Sequence, residues 1–380
     1  MEVHPNYSLT KSKEASLESN ESVNLLPRSV LRSNDYVLLN GEWQFAIDQQ
    51  DAGIAENWHL GHTYTSVANW PGSIEQHMAS AKGEVGVPAW KDKVVAWYER
   101  TFPLPVRNES QKRSSLLQLT FGACGYKTQV WLNGIALATI EGQLIHLGEY
   151  TSFSYELPED ALAETNRLTV RIEDDMDADT TRGKQESHVY KRGGIWYQTY
   201  TGAVRDIWIE TVERNRLRSR VGVESIVEDK NVRFTLTLRI QDEGLYNIRL
   251  NVYERKGSET IATAEFPITL TQGQKNQRLV MEIPGAQLWS PENPHLYLLK
   301  AELISADGAI ATIETHFGLR KIEARGRFIY LNNKSIYLDG ILYQPGIATY
   351  EEIKKHMYAM KELGCNLVRI HIAGVDPRIY

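Results

Sequence analysis

The stretch "SIYLDGILYQPGIATYEEIKKHMYAMKELGCNLVRIHI", residues 335–372, decides the fold class of the C-terminal part of the chain. "SIYLDGILY" reads as a strand. Thr349 and Glu352 follow at capping-box spacing, which satisfies free backbone N–H groups at a helix start. Ile353, Met357, Met360 and Leu363 recur at helical spacing on one face. Gly364 suits the left-handed position just past a helix end. "NLVRIHI" is then a second apolar strand. Strand, helix, strand over this length is a βαβ unit, which implies parallel pairing. A parallel sheet is covered on both faces by its crossover helices, whereas one unit supplies one helix and leaves strand edges unpaired. The expectation is a chain that stops inside a larger α/β domain.

Working back from this unit, the period changes from helical to alternating. In "VRFTLTLRI", Val232, Phe234, Leu236, Leu238 and Ile240 share one face, and "YNIRLNVYE" repeats the pattern through Tyr246, Ile248, Leu250 and Val252. About seven such strands in about 100 residues predict an immunoglobulin-like β-sandwich over 216–318. Between 35 and 215 the strands are again many. Trp43, Phe45 and Ile47 alternate, as do Leu117, Leu119 and Phe121, Val130 and Leu132, and Leu168, Val170 and Ile172. Asn133-Gly134 between apolar runs signals a type I′ hairpin, because both residues tolerate positive φ. Segments 51–96 and 174–195 read as long irregular connections, and the whole as a jelly-roll β-sandwich. Residues 1–34, rich in Ser, Asn, Glu and Lys, read as a flexible leader.

A length of 380 residues is consistent with two or three domains at roughly 150 residues each. The net charge of −6 gives no reason to expect a nucleic-acid partner. No run approaches the roughly 18 apolar residues of a membrane span. The N-terminus has no apolar core of a signal peptide, so a cytoplasmic location is expected. Cys124 and Cys365 fall in different predicted domains, which argues against a disulfide, and Cys124 reads as a core thiol. His4, His59, His62 and His77 are scattered without metal-ligand spacing, and nothing implies a cofactor. Nine Trp and 19 Tyr outnumber 8 Phe, which fits strand cores and also flat faces for stacking on sugars.

The chain resembles glycoside hydrolase family 2, the family of β-galactosidases, β-glucuronidases and β-mannosidases. Trp289, Pro291, Pro294, Leu296 and Tyr297 match a family run late in its immunoglobulin-like domain. Phe317, Gly318, Arg320, Ile322 and Glu323 match the exit from that domain. Phe328, Leu331, Asn332 and Lys334 match the hairpin before its TIM barrel, with Asn333 where Gly is usual. "LNGEWQFAID", "YERTF", "VWLNG" and "GAVRDIWIE" resemble its N-terminal sugar-binding jelly roll. Arg369, His371, Ile372, Asp376, Pro377 and Arg378, together with "RGKQ" and "GGIWY", are similar to a subgroup distinct from the typical β-galactosidase. The resemblance implies a jelly roll, an immunoglobulin-like sandwich and, over 319–380, the first βαβ of a TIM (β/α)8 barrel.

It also implies retaining hydrolysis of O-glycosyl bonds by two carboxylates about 5–5.5 Å apart, one protonating the leaving oxygen and one attacking the anomeric carbon. In the family both are Glu near the fourth and seventh barrel strands, so no catalytic residue is expected here and the chain alone is expected to be inactive. Glu351, Glu352 and Glu362 read instead as a solvated helix face. The alternative is a non-catalytic carbohydrate-binding or interaction protein of two β-sandwiches.

Substrate-binding candidates follow from the same resemblance. TIM-barrel sites form at the carboxyl ends of strands, where Tyr343, Gln344, Arg369 and His371 stand. Asp174 matches an acidic residue lining the sugar pocket in β-galactosidases, with Asp175 as the register alternative; Asp174, Asp175, Asp177 and Asp179 also read as a solvated turn or a cation site. Arg182, Lys184 and Gln185 are candidates for the same pocket, and Trp196 for a stacking face or an inter-domain wedge. Expected partners are a glycoside substrate and, by family analogy, a second copy of the chain.

Overall fold

The computed structural model describes residues 36–82, 90, 92–104, 107–177, 180–226, 231–254, 259–372 and 376–379. The expected leader and Asp179 lie outside them.

The first β unit holds β1 (Tyr36–Leu38), β2 (Gly41–Ile47), β3 (Ser66–Trp70), β4 (Gly72–Ser73), β5 (Lys93–Phe102), β6 (Ser115–Phe121), β7 (Lys127–Leu132), β8 (Ile135–Ala136), β9 (His146–Leu147), β10 (Phe153–Leu157), β11 (Asn166–Asp175), β12 (Gly202–Ala203) and β13 (Ile207–Glu213). One sheet runs β1-β13-β6-β10, and a larger one runs β3-β2-β5-β11-β7-β8, with β9 also on β7. The alternating residues from both sheets meet in one core. Leu117, Leu119, Phe121, Ile207 and Ile209 face Trp43, Phe45, Tyr98, Val130, Leu168 and Val170. Cys124 joins this core, where burial pushes its thiol up to about 12.

One expectation fails here. The connection 51–96 is not irregular: it contains β3, β4 and the helix Ile74–Lys82. Part of it lies over the outer face of the large sheet, so Val95, Trp97 and Trp131 form a second apolar cluster with Trp58 and Tyr64. Alternation along β7 and β11 therefore gives no solvent face at these points; Trp131, Thr169 and Arg171 are buried too. The Asn133-Gly134 turn has φ of 50° and 86° and joins β7 to β8, as positive φ at both positions requires.

The second β unit holds β14 (Arg216–Ile226), β15 (Asn231–Ile240), β16 (Gly244–Glu254), β17 (Thr260–Leu270), β18 (Gly273–Glu282), β19 (Tyr297–Ser305) and β20 (Gly308–Phe317). Its sheets, β14-β15-β18 and β17-β16-β19-β20, enclose Phe234, Leu236, Leu238, Ile248, Leu250, Leu299 and Phe317. Arg216, 1% exposed, ties the two units together by donating to Glu156 at 2.8 Å and Gln118 at 3.0 Å.

The C-terminal unit begins with the antiparallel ladder β21 (Ile322–Arg325), β22 (Phe328–Leu331) and β23 (Lys334–Ile336). β24 (Gly340–Tyr343) and β25 (Leu367–Ile370) then pair in parallel, joined by the helix Tyr350–Glu362. "SIYLDGILY" is thus two strands, not one: Tyr337 breaks out at 84% exposure, and the halves pair in different sheets. The capping box of Thr349 and Glu352 forms, and Gly364 takes φ 84°. Ile353, Met357 and Met360 are buried beneath Tyr343, whereas Leu363 is 74% exposed because it is the C-cap.

Candidate functional site

A cavity of about 440 Å³ opens where the first β unit meets the C-terminal unit. Gln344 and Gly346, beyond β24, and His371 and Ile372, beyond β25, form one wall. The His371 N–H donates to the Tyr343 carbonyl at 3.2 Å, which carries the parallel pairing one residue past the strand and brings both carboxyl ends to the cavity. The opposite wall comes from the first β unit: Tyr150, Gln185, Tyr197, Thr199, Tyr200 and Arg205. The lining is mostly amides, hydroxyls and aromatic rings, with Arg205 and His371 as its ionisable nitrogen bases.

The first-unit wall stands on a buried polar network. Asp174 is 1% exposed at the end of β11. It accepts from Arg182 Nε at 2.9 Å, from Thr201 Oγ1 at 2.6 Å and from the Asp175 N–H at 2.9 Å. Burial raises its carboxyl to about 6 even though Arg182 and Thr201 pull it down. Arg182, 3% exposed, also donates to the Glu186 carbonyl at 3.2 Å and to Gln185 Oε1 at 3.4 Å, and it packs over the Trp90 ring at 5.4 Å. The Trp90 indole donates to Glu75 at 2.8 Å, and Glu75 accepts the Thr201 N–H at 3.2 Å. Gln185 links this network to Glu149, donating to its two oxygens at 2.9 and 2.8 Å. Burial, and then the neighbouring Asp174 charge, push the Glu149 carboxyl well above the usual carboxylate range.

The units are joined at the cavity floor. Arg205 Nε lies 3.6 Å from Asp376 Oδ2, with both side chains buried, and Gln344 Nε2 donates to the Tyr197 hydroxyl at 3.3 Å. Gly183, at φ 69°, packs directly on Ile372, where any Cβ would collide with the Ile372 side chain. Ile372 itself holds φ 71°, a costly conformation for a β-branched residue.

Of the nine sequence-derived candidates, Gln185, Gln344 and His371 line the cavity together. Asp174 and Arg182 lie behind the wall as a buried ion pair, so Asp174 is neither in a solvated turn nor in the lining. Asp175 is drawn to Lys127 instead, at 3.4 Å. Lys184 is half-buried beside the wall, and its charge together with that of Arg369 adds to desolvation in holding His371 below its ordinary value. Arg369 is exposed on β25. Tyr343 turns toward the helix, where its hydroxyl lies 3.0 Å from His356 Nδ1, and burial pushes it up to about 12. Trp196 stacks on Tyr190 at 3.9 Å on an outer loop. The sequence reading missed Glu75, Glu149, Tyr150, Thr199, Tyr200 and Arg205. None sits in a motif with chemistry of its own, and Glu75 meets Thr201 across 126 residues.

Residues 215–320 match the model of "Glycosyl hydrolases family 2", and residues 55–179 match that of "Beta-galactosidase second all-beta domain". These two matches support a glycoside hydrolase family 2 N-terminal portion. The chain is 24% identical over 323 residues to a putative β-glucuronidase of Formosa agariphila, covering 82% of the chain and 36% of the relative. It is 24% identical over 355 residues to β-galactosidase BoGH2A of Bacteroides ovatus, covering 87% of the chain and 38% of the relative. It therefore spans little more than a third of these relatives' length. Among solved structures, Lactobacillus rhamnosus β-glucuronidase superimposes with a TM-score of 0.70 at 20% identity, over 94% of this chain and 58% of that structure. Ruminococcus gnavus β-glucuronidase in complex with D-glucuronic acid gives 0.66 at 18% identity, over 92% and 58%. These likenesses establish a shared, mostly β fold. No helix among the described residues is long and apolar enough to cross a membrane.

Proposed function

We propose that the chain is the carbohydrate-binding N-terminal portion of a retaining O-glycoside hydrolase. Its parts are then a jelly roll over 35–215, an immunoglobulin-like sandwich over 216–318 and, over 319–380, the first βαβ of a TIM barrel. The observation that carries this reading is the cavity at the carboxyl ends of β24 and β25, the position at which TIM-barrel sites form. Its amides, hydroxyls and aromatic rings suit a ligand bearing many hydroxyl groups, because a sugar offers both polar edges and apolar ring faces. Gln185, Gln344 and His371 hydrogen-bond the sugar in this reading, while Asp174 and Arg182 hold the wall. Lys184, Trp196 and Arg369 serve parts of a longer ligand outside the cavity.

The chain by itself hydrolyses nothing. Retaining hydrolysis needs two carboxyl groups about 5–5.5 Å apart flanking the bond, and no Asp or Glu is among the residues lining the cavity. Glu351, Glu352 and Glu362 are exposed on the outer helix face. The same observation favours the second reading, a carbohydrate-binding protein without catalysis. Two measurements test the proposal. Incubation with p-nitrophenyl β-D-galactoside and β-D-glucuronide is expected to release no nitrophenol above the buffer rate, and saturation-transfer NMR is expected to show the sugar protons in contact with the protein. Robust hydrolysis, or no transfer from any glycoside, contradicts it.

A further inference from the structure

Glu149 is a buried carboxyl, 2% exposed, that the hydrolytic chemistry above does not use. Its surroundings are unusual for an acid. Among the described residues it has no ion-pair partner: Arg182 is engaged with Asp174, and Asp174 and Glu75 add negative charge nearby. Its hydrogen-bond partner is neutral: the Gln185 amide, at 2.9 and 2.8 Å, which also reaches the Tyr150 hydroxyl at 3.4 Å. Gln185 and Tyr150 line the cavity, whereas Glu149 does not.

The arrangement fixes which way the Gln185 amide faces. Gln185 Oε1 accepts from the Tyr200 N–H at 2.7 Å and from Arg182 Nη2 at 3.4 Å, and its Nε2 donates to Glu149. Turned over, the amide would set N–H against N–H at Tyr200 and Arg182 and oxygen against oxygen at Glu149. A Gln side chain has one acceptor end and one donor end, and here each end has its complement. Removing Glu149 leaves the donor end without its principal acceptor, and with it loosens the contact to the Tyr150 hydroxyl.

We propose that Glu149 is a positioning residue for ligand binding: without touching the ligand, it fixes the Gln185 amide on the cavity wall, and through it the contact of that amide with the Tyr150 hydroxyl, in the orientation that a carbohydrate meets. This rests on the reading of the cavity as a carbohydrate site. The groups that face Glu149 from its surroundings are Asp174 and Glu75, which disfavour its ionisation, Arg182, which favours it, and Tyr150, Tyr200 and Cys124. Gln at the same place keeps an acceptor oxygen for the Gln185 amide in nearly the same shape.

The test uses the whole chain, 15N-labelled, with the Gln185 side-chain amide assigned by its loss in Gln185→Leu. D-galactose and D-glucuronic acid are the titrants. In the wild type the Gln185 amide is expected to exchange slowly and to shift on titration. In Glu149→Leu, which keeps the core filled but removes both oxygens, the amide is expected to exchange at least about tenfold faster and the sugar to bind about tenfold more weakly, the scale of one lost hydrogen bond. Glu149→Gln is expected to stay within about twofold of wild type, a rescue that mere loss of packing does not produce. Should Glu149→Leu not fold, Tyr150→Phe reads the same wall and is expected to weaken sugar binding by about tenfold. An unchanged Gln185 amide and unchanged affinity in Glu149→Leu, or affinity retained in Tyr150→Phe, overturn the assignment. Failure of the carbohydrate reading looks different: no residue of the wild type shifts with either sugar. That outcome overturns the ligand-binding role, while the exchange rate still reports whether Glu149 holds the amide.

Discussion

The two walls of the cavity are built on different terms. On the first-unit side, Gln185 is anchored at both amide ends, and behind it Asp174, Arg182, Thr201, Glu149 and Glu75 are all buried and hydrogen-bonded. On the C-terminal side, Gln344 and Arg369 are exposed, His371 is half-buried, and Leu342 on β24 is 47% exposed. A polar wall held by a buried, hydrogen-bonded network is rigid before any ligand arrives, and its groups lose little freedom on binding. On the β24–β25 side, Gln344 stands exposed and is held by a 3.3 Å hydrogen bond to the Tyr197 hydroxyl. The contrast teaches that the first unit supplies the preorganised half of the site, and the β24–β25 side its adaptable half.

Breaking the anchored wall is expected to have the largest effect. Arg182→Ala strips Asp174 of its only ion-pair partner among the described residues while leaving the carboxyl buried, so a loss of about 3–5 kcal/mol is expected in urea denaturation. Arg369→Ala, on the other wall, is expected to leave the midpoint unchanged. Equal effects of the two substitutions would erase the distinction.

The anchored wall is also expected to show in the pH dependence of stability. Burial raises Asp174 from 3.8 to about 6 and raises Glu149 further above the carboxylate range. Both groups hold protons more tightly in the folded chain than in the unfolded one. Their contribution is complete below the unfolded pKa of about 4 and is lost as the pH rises through about 6 and beyond. The urea midpoint is expected to fall between pH 5 and pH 8, and to fall less in Glu149→Gln, which has nothing to ionise. A midpoint that rises over this interval contradicts the sign.

Smaller effects sharpen the junction and then the adaptable side. Gly183→Ala places a Cβ against Ile372 at a φ of 69° and is expected to cost about 1–3 kcal/mol, read from the thermal midpoint. Thr349→Ala removes one half of the capping box and is expected to cost about 1 kcal/mol, with faster amide exchange confined to the first turn of the helix Tyr350–Glu362.

The same contrast explains what the sequence made legible. Strands β15 and β16, the Asn133-Gly134 hairpin and the capped helix were legible because each is specified by residues a few positions apart. The helix Ile74–Lys82 was not: its Glu75 and His77 are buried, and Glu75 finds its partners only through the fold. For the site, Gln185, Gln344 and His371 were legible from motifs at strand ends and loops. Glu149 was not, because its meaning depends on Gln185, 36 residues away. Asp174 was identified as a candidate, but its burial was invisible because acidic runs at strand ends are usually solvated, and here Arg182 folds back over it.

The central claim is that the cavity between the first β unit and the β24–β25 sheet binds carbohydrate through a preorganised wall. Isothermal titration of the chain with D-galactose and D-glucuronic acid tests it most directly, comparing wild type with Gln185→Ala and Arg369→Ala. The account predicts saturable 1:1 binding of at least one sugar, weakened by about tenfold or more in Gln185→Ala and little changed in Arg369→Ala. Binding that survives Gln185→Ala unchanged, or no binding of either sugar to the wild type, would contradict it.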